Sequence, residues 1–114
     1  VTLIKYERIT RHAADPLGEH LEQQKEWSEV TFGPGQRTLG ILAHIRKELA
    51  EIEASPHDLE EWIDVIQLAL DGYWRHGGDP LHIMLDLQAK LAKNKARKWP
   101  AILPEDEPTE HIEE

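Results

Sequence analysis

The chain has no cysteine among its 114 residues. That excludes a disulfide framework and any thiolate metal site, and it fits a reducing cytoplasm. Aromatic residues are scarce, at 6% with a single Phe, so the core is expected to be aliphatic with a few Trp anchors. Long apolar runs are missing too, so no membrane-spanning helix and no signal-peptide core are predicted. A surplus of basic charge is also lacking. The net charge is −9, which argues against a nucleic-acid binder, because a phosphate backbone wants a continuous basic surface. The seven histidines include no H-E-x-x-H pattern, which disfavours zinc. The stretch "GPGQRTLG" has no Lys or Ser after its glycines, so a phosphate-binding P-loop is unsupported.

Punctuation between helices is what the chain does contain. Asp15-Pro16 pairs an N-cap with a proline at the first helical position and opens a helix through about Ser28. "TFGPGQRTLG" reads as an irregular loop. From about Thr38 to Ala54, Ile41, Leu42, Ile45, Leu49 and Ile52 recur at helical spacing. Ser55-Pro56 is expected to start a third helix, running to about His76, and Asp79-Pro80 a fourth, ending near Lys98-Trp99-Pro100. Only Val1 to Ile4 has any strand character. The fold expected is all-α, a bundle of about four helices, with one domain over residues 1–100. Residues 101–114 carry six acids without Lys or Arg and are predicted to form a mobile acidic tail.

The third helix places Leu59, Trp62, Ile63, Ile66, Leu70 and Tyr73 on one broad face, the expected core stripe. Opposite them lie Glu61, Asp64, Leu68 and Asp71. Apolar residues on both sides imply that this helix sits between neighbours. Glu61 and Asp64 are i, i+3 and point the same way. Glu48 and Glu51 repeat that pairing on the preceding helix, with His44 one turn earlier. Four carboxylates meeting in a partly dry cleft repel one another by about several kcal/mol at an effective dielectric near 20. A hard divalent cation, Mg²⁺ or Mn²⁺, relieves this, because all the ligands are oxygens. The competing reading is a solvated acidic face. On the last helix, Lys90, Asn94 and Arg97 share a face that could hold an oligophosphate; a snorkelling basic face is the alternative. A carboxylate-metal site with a basic row is what cleavage of a phosphoanhydride requires.

These residues resemble the E-x-x-E … E-x-x-D signature of the MazG-like nucleoside triphosphate pyrophosphohydrolases, with Glu48, Glu51, Glu61 and Asp64 on the four positions. "QKEWSEVTFG", "HIRKEL" and "KLAKNKARKWP" extend the likeness to the dATP/dGTP diphosphohydrolase branch known from bacteria and phages, over about Gln23 to Pro100. Nine residues separate Glu51 from Glu61, fewer than is usual in such chains, which suggests a tighter turn. The resemblance implies hydrolysis of a purine deoxynucleoside triphosphate (dGTP or dATP) to the monophosphate and pyrophosphate with Mg²⁺ or Mn²⁺. It implies Glu48, Glu51, Glu61 and Asp64 as metal ligands and catalytic residues, and Lys90, Asn94 and Arg97 as substrate contacts. It further implies a homodimer or dimer-based homotetramer in the cytoplasm, or in the host cytoplasm if phage-encoded. Trp27 and Phe32 flank the Gly-Pro loop and are candidates to stack on a purine; a core anchor is the alternative for Trp27. Asp71 shares the metal-facing side of its helix and is a candidate further ligand. A phosphoribosyl-ATP pyrophosphohydrolase and a non-catalytic helical interaction module stand as rival functions.

Overall fold

The computed structural model describes residues 15–113; Val1 to Ile4 lie outside that range. Four α-helices follow one another: α1 Pro16–Phe32, α2 Thr38–Ala54, α3 Leu59–Arg75 and α4 Ile83–Ala96. Strands are absent among the described residues, apart from an isolated antiparallel bridge between Lys98 and Ile112. The fold is all-α. The chain divides into two units, residues 1–83 and 84–114.

In the first unit, α3 packs against both α1 and α2. Asp15 caps α1 by accepting from the Gly18 N–H at 2.9 Å, with Pro16 behind it. The helix continues past Ser28 to Phe32, because nothing breaks it before Gly33, whose φ of 86° only glycine adopts freely. Ser55-Pro56 does not start α3. Ser55 instead terminates α2, donating its N–H to Glu51 and Ile52 carbonyls, and Asp58 becomes the N-cap by accepting from the Glu60 N–H. The Trp62 indole donates to the Pro56 carbonyl at 3.0 Å and pins the turn. Asp79-Pro80 likewise makes a turn ahead of α4, with Asp79 accepting from the Leu81 N–H at 2.9 Å.

Side-chain contacts between the helices show their directions. Gln24 donates to the Gln67 carbonyl and Ser28 to Asp71, so α1 and α3 run parallel. Thr38 meets His76 while Glu48 and Glu51 meet Glu61, so α2 runs antiparallel to both. Leu21, Leu70 and Ile83 form the core, with Leu17, Tyr73 and Trp74 packed on it.

The expected core stripe of α3 is overturned in its N-terminal part. Leu59 is 74% exposed, and Trp62, Ile63 and Ile66 are about half exposed, whereas Leu70 is buried. The face turned inward carries Glu61, Asp64, Leu68, Asp71 and Arg75. On α2, Glu48 is likewise buried and Leu49 exposed. Only the N-terminal part of the stripe, Leu59 to Ile66, turns outward; Leu70 and Tyr73 stay with the core, and Glu61 and Asp64 are half-buried as expected. Burying a Leu or Ile contributes about 1.5–3 kcal/mol, so the forfeited burial is substantial.

In the second unit, the N–H of Ile112 donates to the Lys98 carbonyl at 2.7 Å, and the Trp99 and His111 rings meet edge-on. The acidic segment between them is exposed.

Candidate active site

Glu48, Glu51 and Glu61 each bring a carboxylate oxygen within 4.8 Å of the others. Two come from one face of α2 and the third from the first turn of α3, and the short 55–58 turn sets them opposite each other. Glu48 is only 6% exposed. Its Oε1 is held by His44 Nε2 at 3.2 Å, while its Oε2 and Glu61 Oε2 are buried with no donor from outside the carboxylate cluster. A buried acceptor without a donor is costly, and two in one carboxylate cluster mark a place for cations.

The electrostatics agree. Glu61 is pushed up to about 7, first by a hydrogen bond with Glu51, then by burial and the negative charge of Glu51. Glu48 is raised for the same reasons, with Asp64 adding its charge. Glu51 is lowered, because it accepts hydrogen bonds from Glu48 and Glu61. Without a cation Glu61 therefore keeps its proton up to about 7, while Glu51 stays ionised beside it. The donor set is oxygen only and suits a hard divalent ion.

Asp64 stands apart from that group of three. It is half-buried one turn further along α3 and lines a neighbouring cavity of about 230 Å³ with Glu48, Trp27, Phe32 and Arg37. Trp27 is 58% exposed, so it is no core anchor. Its ring meets Phe32 edge-on at 5.3 Å.

Asp71 is occupied otherwise. Its Oδ1 accepts from the Ser28 hydroxyl and the Trp74 indole, both at 2.7 Å, and its Oδ2 from Arg75 Nε at 3.0 Å. Arg75 also donates to the Gly33 and Gly35 carbonyls, tying the Gly-Pro-Gly loop to α3. A carboxylate so fully engaged is a structural anchor, which removes Asp71 as a candidate ligand. Sequence reasoning missed Arg75, although its i, i+4 spacing from Asp71 was visible.

In the second unit, Lys90 is exposed, while Asn94 and Arg97 are half-buried and joined by a 3.2 Å hydrogen bond from Arg97 Nη1 to Asn94 Oδ1. The Asn94 carbonyl also accepts from the Trp99 indole.

A family model described as dATP/dGTP pyrophosphohydrolase matches residues 20–114. The chain belongs to that family. The match takes in the acidic tail, which the motif resemblance had left out. Among solved structures, the chain is similar to the cyanophage S-2L MazG-like pyrophosphohydrolase bound to dGDP and three catalytic Mn²⁺ ions per active site. Identity is 28% over 85% of this chain and 97% of that one, with a TM-score of 0.65. No curated protein sequence matches the chain. This member of the dATP/dGTP pyrophosphohydrolase family is thus a metal-dependent nucleotide pyrophosphohydrolase, and no helix among its described residues is long and apolar enough to cross a membrane.

Proposed function

We propose that Glu48, Glu51, Glu61 and Asp64 hold the divalent ions, Mg²⁺ or Mn²⁺, for cleavage of dGTP or dATP to the monophosphate and pyrophosphate. The observation that carries this is the pair of buried oxygens with no donor from outside the cluster, Glu48 Oε2 and Glu61 Oε2. Divalent ions held by these residues would neutralise phosphate charge and would lower the pKa of a water so that it could serve as the nucleophile near neutral pH. Glu48, steadied by His44 at Oε1, is also the carboxylate that would orient that water. Glu61 releases its proton when a cation arrives. Asp64, between the carboxylate group and the cavity, completes the ligand set. Trp27 supplies an exposed aromatic face for the purine.

The assembly proposed is a homodimer or a dimer of dimers. Leu59, Trp62, Ile63 and Ile66 form an exposed apolar row on α3, and a row of that kind is characteristic of a subunit contact.

Calorimetric titration with Mn²⁺ tests the site, and product separation tests the reaction. A Mn²⁺ site that Glu48→Gln and Asp64→Asn each weaken, together with dGMP and pyrophosphate from dGTP, is the expected result. Release of orthophosphate, or Mn²⁺ affinity indifferent to both substitutions, would overturn the proposal.

A further inference from the structure

Arg37 has an unusual backbone. It is the N-cap of α2 at φ 50°, the one non-glycine residue with positive φ among the described residues. Such strain in a large side chain persists where the surroundings over-determine it, and it gathers at ligand sites. Here the guanidinium lies over the Phe32 ring at 5.2 Å. Nη2 reaches back over Gly40, where an added Cβ would sit 3.7 Å away. Among the described residues no carboxylate pairs with Arg37. It is thus a fixed set of donors at the wall of the cavity.

The cavity has a direction. Arg37, Gly40, Ile41, His44 and Glu48 line it from α2, at the three- and four-residue steps that keep one face of a helix. The Arg37 guanidinium lies over Gly40, eight residues before Glu48, so the two ends lie roughly 12 Å apart at 1.5 Å per residue. The carboxylates occupy one end, where a triphosphate must be held for cleavage. Arg37 stands with Phe32 and Trp27 at the other. A nucleotide laid along this wall with its phosphates at the acids brings its base, not its phosphates, to Arg37.

We infer that Arg37 reads the purine and favours guanine over adenine. The guanidinium fork offers parallel N–H donors, which match the O6 and N7 acceptors of guanine; adenine presents N7 beside an N6 amino donor and opposes the fork. Phe32 holds the guanidinium plane by stacking. Two other polar groups of the cavity are committed elsewhere: Asp71 to Ser28, Trp74 and Arg75, and the Gln24 amide to the Gln67 carbonyl and His20. The inference rests on the proposed function, in that the phosphates sit at the carboxylates.

The experiment compares kcat/KM for dGTP, dATP, dITP and 7-deaza-dGTP in the unsubstituted protein, Arg37→Met and Arg37→Lys. Calorimetric affinities for dGDP and dADP supply a readout independent of turnover. Expected is a preference for dGTP over dATP of ~10-fold or more. dITP should behave like dGTP because it keeps O6 and N7, and 7-deaza-dGTP should be weakened. Arg37→Met should bring dGTP down to the dATP level while dATP changes less than about 3-fold, and Arg37→Lys should fall between. Equal losses for dGTP and dATP would show a phosphate contact and overturn the inference; so would an unchanged dGTP:dATP ratio. Should no triphosphate be hydrolysed, the dGDP:dADP affinity ratio and its response to Arg37→Met still decide the inference, and only the reaction assignment would fall.

Discussion

Glu61 is where the chemistry of single residues is most exposed to test. Its carboxyl is pushed to about 7 by Glu51 and burial, and its Oε2 has no donor from outside the carboxylate cluster. Replacing it with Gln keeps the shape and removes the charge. Turnover should fall at least about 100-fold, the cost of removing one charge-stabilising group at a reacting centre, while the circular-dichroism spectrum stays that of a folded helical protein. Retained activity would remove Glu61 from the ligand set. Arg75 makes the opposite kind of contribution. Its side chain is fully buried against Asp71, and Arg75→Met leaves that carboxylate in the interior with only Ser28 and Trp74 as donors. Breaking one side of a buried ion pair costs about 3–5 kcal/mol. Urea unfolding should show a loss of that order, and the Gly-Pro-Gly loop should become protease-sensitive, because two of its carbonyls lose their donor.

At the scale of elements, α2 and α3 are held together across a seam that carries acids where a core would carry aliphatics. The pH dependence of that seam follows from its raised carboxyls. Between about 4.5, the ordinary Glu value, and about 7, the folded chain keeps a proton at Glu61 that the unfolded chain has released. The folded state binds more protons there, so stability falls as pH rises through the window. Glu48, also raised, acts in the same direction. Glu51, lowered, acts outside it: its stabilisation is present above 4.5 and is lost only as pH falls through its depressed value. In chelator, Tm should therefore drop between pH 5 and pH 8, and Glu61→Gln should flatten that slope. Mn²⁺ should raise Tm more at pH 8 than at pH 5, because a cation stabilises the deprotonated set and competes with protons for it. A Tm that climbs steadily with pH in chelator would contradict this account.

Across the whole molecule, the outward turn of the first half of α3 has a consequence of its own. Leu59, Trp62, Ile63 and Ile66 face outward, and water-exposed apolar rows of this kind are normally covered by a partner. If this row is the subunit contact of the proposed dimer, Ile63→Asp should leave monomers at micromolar concentration by light scattering. The carboxylate seam of α2 and α3 should keep its Mn²⁺ affinity, since its residues come from one chain. If Ile63→Asp leaves the assembly unchanged, the contact lies elsewhere.

The four helices were legible because their signals are local. Asp15-Pro16 opens α1, and the apolar spacing of Thr38–Ala54 matches α2 at both ends, whereas the end of α1 was placed one turn too early, at Ser28 instead of Phe32. The starts of α3 and α4 were misplaced because Ser55-Pro56 and Asp79-Pro80 fit a turn as well as a helix start, and only the observed hydrogen bonds choose. The i, i+3 spacing of Glu48 with Glu51 was enough to pair them on one face, since helix geometry makes that unavoidable. Which face turns inward was half legible. Glu48, Glu51 and Glu61 were expected to meet and do, but the exposure of Leu59, Trp62, Ile63 and Ile66 was not expected. A helix with apolar residues on both sides has two ways to bury itself, and the choice falls to contacts distant in sequence, such as Ser28 with Asp71 and Gln24 with Gln67. The sequence by itself determined the helices and the donor chemistry, because both depend on neighbours within a turn or two. Tertiary structure alone decided that Leu59, Trp62, Ile63 and Ile66 stay exposed and that Arg37 reaches the cavity, because only packing between helices fixes which side chains leave water.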